Sequence, residues 1–291
     1  IYYAADNGAR VISLSLSSVA DGHSVRAAIA YAQRRDVVVV AAAGNQSTAQ
    51  RHYPAAYPGV IAVAATDRED TKADFSNFGE WVDVAAPGVG LLGAEALNDQ
   101  GYRNFSGTSF ATPFVAGIAG LLRSRFPASD AAAIGRAVSA GVDRPQEFQF
   151  FIGSGRVNVH RAVAIESPPL ATARLTAPIF GSFAAGQQPI EGVSAGERYT
   201  LAIGSGLYPT EWRVIGSGVN ATPSGAVRVL GTVDTTGFSP GLYTIQLTDS
   251  AGATDAQAAV LVTVDPRFRL FIPGTGLYPV GHFTVDDIDG D

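Results

Sequence analysis

Asn104-Phe105-Ser106-Gly107-Thr108-Ser109-Phe110-Ala111-Thr112-Pro113, running on through Phe114-Val115-Ala116-Gly117-Ile118-Ala119-Gly120-Leu121-Leu122, is the stretch around which the chain is organised. Gly107 permits a tight turn, so Thr108 and Ser109 fall where a helix begins. Pro113 is tolerated because first-turn amides have no intrahelical acceptor to lose. From Phe114 onward the residues are almost continuously apolar, and a helix this apolar is expected to be buried. Gly117 and Gly120 lie three apart, so another backbone is expected to approach that face closely. Ser109 then presents a hydroxyl at the positive end of a helix, where developing negative charge is favoured. That description alone fits a helix cap as well as a nucleophile.

Upstream, Ile1 to about Asn7 reads as the end of a helix stopped by Asn7-Gly8. Val11-Ile12-Ser13-Leu14-Ser15-Leu16 alternates as a strand does. Asp21 or Ser24 is placed to cap a helix through Arg35, with Val25, Ala28, Ile29 and Ala32 on one face. Val37 to Ala43 is continuously apolar and ends at Gly44, the signature of a strand buried on both faces. Val60 to Ala65 and Val82 to Ala86 repeat it. Strand and helix alternate, which implies an α/β layered parallel sheet. Pro127-Ala128-Ser129 opens a helix to about Ala140, and a last short helix ends near Ile165.

At Ser167-Pro168-Pro169 the helical period stops. Short β-rich runs between Gly, Pro and Ser turns follow: Tyr199–Ile203, Trp212–Ile215, Val227–Leu230, Leu242–Thr248 and Ala258–Val264. They predict a small all-β sandwich over 167–265. Residues 266–291 form a third segment, with Asp286, Asp287, Asp289 and Asp291 crowded around Gly290.

Hydrophobic residues make up 46% of the 291, against 16% charged, so the chain is globular. A net charge of -6 and no basic run argue against nucleic acid as a partner. Zero cysteine rules out disulfides and thiolate metal sites, and no run of about 18 apolar residues reads as a membrane span. The chain starts at Ile1 and contains no Met, so residue 1 is not a translation start and a signal segment is expected to lie outside it.

Gly107-Thr108-Ser109-Phe110-Ala111-Thr112-Pro113 closely resembles the nucleophile motif Gly-Thr-Ser-x-Ala-x-Pro of the subtilisin-like serine peptidases, the subtilases. The resemblance covers about residues 1–165 and implies a parallel-sheet, three-layer subtilisin-like domain over 1–166, incomplete at its N-terminus. It makes Ser109 the nucleophile of a serine endopeptidase. Ala41-Ala42-Ala43-Gly44-Asn45 resembles the family's oxyanion segment at about the family's spacing from Ser109. The Asn45 amide and the Ser109 backbone N–H are therefore implied donors to the tetrahedral intermediate. Protein or peptide substrates are implied to lie between Ser15-Leu16-Ser17 and Ala42-Ala43-Gly44 by strand addition. Ser17 departs from the family, which usually has Gly there; a side chain at this point is expected to narrow or reorient the entrance, so the resemblance implies no preferred residue. A pocket walled by Ala, Gly and Leu argues against strongly charged side chains.

The chemistry needs no cofactor, but the resemblance of Tyr53–Val60 and Trp81-Val82-Asp83 to a calcium-binding loop implies a structural calcium at Pro58, Val60 and Asp83. None of His23, His52, His160 and His282 sits in the family's His-Gly-Thr motif, and no Asp sits in its Asp-Thr/Ser-Gly context. Both triad partners are expected upstream of Ile1, making this the C-terminal part of a secreted or cell-surface enzyme. The alternatives are a catalytically inactive subtilase-fold scaffold and a non-proteolytic hydrolase, the latter opposed by the lack of a Gly-x-Ser-x-Gly elbow. Gly231 to Thr244 resembles the last hairpin of fibronectin-type-III-like modules. Phe283 to Asp291 resembles the opening of an FG-GAP or VCBS-type calcium repeat, and reads equally as a solvated acidic tail.

Overall fold

The structure, a computed structural model, describes residues 1–95, 101–144, 152–169, 171–184, 186–220, 226–251 and 254–264. The acidic segment compared with FG-GAP repeats lies outside the described residues. α1 (Tyr2–Asp6) stops at Asn7, and β1 (Val11–Leu14) is shorter than its alternating run. α2 (His23–Arg34) buries Ala28, Ile29 and Ala32 but leaves Val25 exposed. Neither Asp21 nor Ser24 caps it: Gly22 is the N-cap, and Asp21 is taken by Arg26 and the Tyr57 hydroxyl. β2 (Val38–Ala42), β3 (Val60–Thr66) and β4 (Val84–Pro87) come next, followed by a hairpin of β5 (Leu91–Ala94) and β6 (Tyr102–Phe105).

The motif helix is α3 (Thr108–Arg125). α4 (Ala131–Ala140) starts later than Pro127, because Asp130 is its cap and accepts from Ala133 N at 2.7 Å. β7 (Val142–Asp143), β8 (Arg156–Val157) and α5 (Val159–Ala164) complete this part. The sheet order is β1-β2-β3-β4-β8-β7, parallel except for the last pair.

Side chains alternate across a strand, so β2 feeds two cores. Val38 and Val40 join Val63 and Val84 beneath α3 and α4, whereas Val39 and Ala41 join Ala62, Ala64 and Ile29 of α2. Helices thus cover both faces, and each fully buried Leu or Ile contributes about 1.5–3 kcal/mol.

α3 is buried on one side only. Val115, Ile118 and Leu122 face the sheet, while Phe114 and Leu121 are 49% and 51% exposed. A Cβ on Gly117 or Gly120 would meet nothing within 4 Å. The expected close approach to that face is made by no described residue. No helix among the described residues is long and apolar enough to cross a membrane.

From residue 171 on, the described elements are strands: β9 (Ala173–Ala177), β10 (Ser182–Ala184), β11 (Gln187–Ser194), β12 (Arg198–Ser205), β13 (Arg213–Val219), β14 (Arg228–Asp234), β15 (Gly241–Ala251) and β16 (Thr254–Val264). They form sheets of order β10-β16-β15-β12-β13 and β14-β11-β9. Leu175, Ile190 and Leu230 of the smaller sheet share one cluster with Leu201, Ile245 and Val260 of the larger. The expected hairpin over 231–244 is not formed. β14 pairs with β11, and β15 pairs with β12 and β16, so the connection crosses between sheets.

Candidate active site

β2 delivers Ala42, Ala43 and Gly44 to the carboxyl edge of the sheet, all buried, and Asn45 follows into solvent. Gly44 has φ 107°, a conformation that favours glycine. The loop is held by Asn77, itself fully buried. Its Nδ2 donates to Ala43 O at 2.9 Å, and its Oδ1 accepts from Gln46 N at 2.9 Å and Thr48 N at 3.3 Å.

α3 begins beside this loop. Its N-cap, Gly107, has no side chain to satisfy the first amides and sits at φ 152°. Asn45 supplies the missing acceptor from another element: its Oδ1 receives Thr108 N–H and the Thr108 hydroxyl, both at 2.9 Å. Thr108 Oγ1 in turn accepts from Gly44 N at 3.2 Å. With Oδ1 so engaged, the planar carboxamide turns Nδ2 to its other side. Nδ2 lies 3.4 Å from where a Gly107 Cβ would stand, so the bare N-cap leaves room for it.

Ser109, partly exposed in the first turn, is next along. Its carbonyl accepts from Ser15 Oγ at 2.7 Å, and its own hydroxyl reaches Ser15 O at 3.4 Å, a weak bond. The chain beyond β1 is thereby brought against the nucleophile candidate. Ser17 Oγ lies 2.6 Å from where a Gly44 Cβ would stand, so the 15–17 and 42–44 segments are adjacent; Leu16 between them is exposed. No described histidine bonds to Ser109. His23 opens α2 on the surface, His160 is exposed on α5, His52 is buried against Ser17, and His282 lies outside the described residues.

The residues compared with a calcium loop fit a cation poorly. Pro58 O accepts from Gln33 Nε2 at 2.8 Å, and Asp83 Oδ2 accepts from Ala62 N at 2.8 Å. Val60 lies at the start of β3 and brings no carboxylate. Burial raises the Asp83 pKa, and the charge of Arg174 with the Ala62 amide only partly offsets this. A guanidinium from β9 therefore already supplies the positive charge. Among the described residues no group of three or more His, Asp or Glu is arranged to hold a metal. Sequence reasoning missed Asn77, the Thr108 hydroxyl and the Ser17–His52 contact.

A sequence model of the Subtilase family matches residues 1–149. Thermitase of Thermoactinomyces vulgaris is 44% identical over 163 residues, 56% of this chain and 57% of that protein. Subtilisin DY of Bacillus licheniformis is 36% identical over 166 residues, 56% of this chain and 60% of that protein. The prenylagaramide maturation protease PagA superposes with TM-score 0.50 at 30% identity, covering 56% of this chain and 64% of PagA. MycP1 with its propeptide removed gives TM-score 0.51 at 28% identity, covering 57% of this chain and 65% of MycP1. The chain thus spans less than two thirds of each of these relatives. The matched residues 1–149 are just over half of the 291, and they carry the Ser109 motif and the Asn45 loop: the chain belongs to the subtilase family.

Proposed function

We propose that this chain carries the nucleophile and oxyanion half of a serine endopeptidase, with the general-base histidine and its orienting carboxylate supplied by sequence preceding Ile1. The observation that supports this most is the Asn45–Thr108 pairing, which leaves a side-chain N–H donor beside the Ser109 amide at a helix N-terminus. A peptide lies extended between Ser15–Ser17 and Ala42–Gly44. Ser109 Oγ attacks the scissile carbonyl as the base takes its proton, and the oxygen that gains the electron pair is received by Asn45 Nδ2 and Ser109 N–H. Collapse expels the amine, which takes the proton back from the base. No cofactor enters this chemistry.

Residues 167–265 are read as an accessory β-sandwich, in keeping with the two sheets and their shared cluster. The protein is read as acting outside the cell on protein or peptide substrates. The alternative of an inactive binding scaffold has one observation in its favour: no described histidine reaches Ser109. Fluorophosphonate labelling of the full natural chain separates the two. Labelling is expected in the parent and lost in Ser109→Ala; an unlabelled parent sinks the enzyme reading.

A further inference from the structure

The six-stranded sheet has a second edge, away from Ser109. Val38 and Val60 begin β2 and β3, and Asp83 stands just before β4. β2 runs from Val38 at this edge to Ala42 at the other, about 13 Å of strand. Here the strand starts, α4 and the chain from Pro169 onward enclose a cavity of about 490 Å³. α4 turns Ala132, Gly135, Arg136 and Ser139 to it, spaced as one helix face. Three of these are small and leave space, and the fourth brings a guanidinium.

Arg144 and Arg174 line the same cavity, with Asp83 and Asp255. Arg136 Nε donates to Pro169 O at 2.7 Å, and Arg144 reaches the Asp255 carbonyl at 3.4 Å, a weak bond. None of the three arginines forms a salt bridge with a described residue. Arg174 acts on Asp83 through its charge, and burial still raises the Asp83 pKa. Three guanidiniums against two carboxylates leave one positive charge, and two when Asp83 is neutral. Val38, Val60, Ile61 and Val193 make much of the remaining wall apolar. An apolar cavity of this size with a few polar groups has the make-up of a small-molecule site.

We propose that this cavity binds a carboxylate carried on a short branched apolar body, its head among the guanidiniums of Arg136 and Arg174 and its body against Val38, Val60 and Ile61. The inference goes beyond the Ser109 chemistry and does not depend on it. A carboxylate supplies the missing charge and suits the fork of a guanidinium. A neutral isostere leaves that charge unmet, and inorganic phosphate leaves the apolar wall uncovered. A free branched acid and the C-terminal residue of a peptide share this chemistry.

The test uses the full natural chain with Ser109→Ala, so that no probe is cleaved. Calorimetry compares 4-methylpentanoate, 4-methylpentanamide, inorganic phosphate, and acetyl-Ala-Leu with a free or amidated C-terminus. The better free carboxylate is expected to bind at least about tenfold tighter than its amide and than phosphate. Arg174→Gln and Gly135→Leu should each weaken it by about tenfold or more. Gly135→Leu fills the cavity and keeps every charge. A Cβ there meets only Ile61, at 3.8 Å, and leucine is the better helix former, so the variant should fold. Tighter binding of the dipeptide supports the site for peptide C-termini, and tighter binding of 4-methylpentanoate supports it for free acids. No binding of either carboxylate, equal binding of the amide or of phosphate, or binding unchanged in Gly135→Leu overturns the inference.

Discussion

Asn45 works through both ends of its carboxamide: the oxygen completes a helix start and the nitrogen is left for substrate. Asn45→Ala should therefore lower kcat by about 10²–10³ with little change in KM, the range for removing such a donor in subtilisin itself. Steady-state kinetics on the full chain checks this, and a variant that changes KM alone would mean the donor holds ground state and transition state equally. Asn45 and Ser109 were legible because each sits in a contiguous motif. Asn77, Thr108 and His52 were not, because their roles exist only across gaps of 31, 63 and 35 residues. Nothing local distinguishes Asn77 from any loop asparagine until the chain folds it under Gly44.

Among the elements, β2 was readable because five consecutive buried positions leave no polar face, which only a strand covered on both sides tolerates. The β5–β6 hairpin was missed because its residues are largely exposed and carry no strict alternation. β14 and β15 look like hairpin arms from sequence, but the choice of strand partner is non-local. β11, about forty residues earlier, claims β14. The β-rich part also depends on one carboxylate. Asp249 of β15 accepts from Thr172 N, Ala195 N, Gly196 N and Ser194 Oγ at 2.6–3.1 Å, joining three segments. Asp249→Ala orphans four donors at once, and each buried orphan costs about 1–3 kcal/mol. A loss of about 3 kcal/mol or more is expected by urea denaturation, and a loss below about 1 kcal/mol would mean that water replaces the carboxylate.

At the scale of the molecule, titration has a worked direction. Asp143 is held low by the Asn158 hydrogen bond, with burial opposing and Arg156 and Arg161 assisting. For Asp36 burial alone would raise the pKa, but Arg123, the Ala131 amide and Arg10 outweigh it. Both contribute stability that is present above the unfolded value of about 3.9 and lost as pH falls through the lower folded values. His52, also depressed by burial, loses its contribution as pH falls below about 6.5. Asp83, raised by burial, has the opposite sign: its contribution is full below about 3.9 and lost as pH rises through the folded value. The Tm of the Ser109→Ala chain, which cannot digest itself, should fall below about pH 6.5 and again below about 3.9, with Asp83 opposing the fall above 3.9; in Asp83→Asn that opposition is gone. A flat profile across that range would contradict these assignments.

The outer edge of β1 carries no strand among the described residues, and Phe114 and Leu121 stand half exposed on α3. Residues 1–291 produced alone should aggregate and hydrolyse peptides hardly at all, since in subtilisin loss of the catalytic histidine alone costs about 10⁶ in kcat. A monomeric, active preparation by size-exclusion chromatography and peptide assay would refute this.

The Thr108 hydroxyl has a single proton to give. Because Gly44 N already donates to its oxygen, that proton points at Asn45, and the carboxamide settles with nitrogen outward. The polarity of the catalytic edge is thus decided by two hydrogens that never meet the substrate, this one and that of the Thr108 backbone amide. Valine has the same shape but no such hydrogen, and would leave the Thr108 backbone N–H alone to hold the amide's heading.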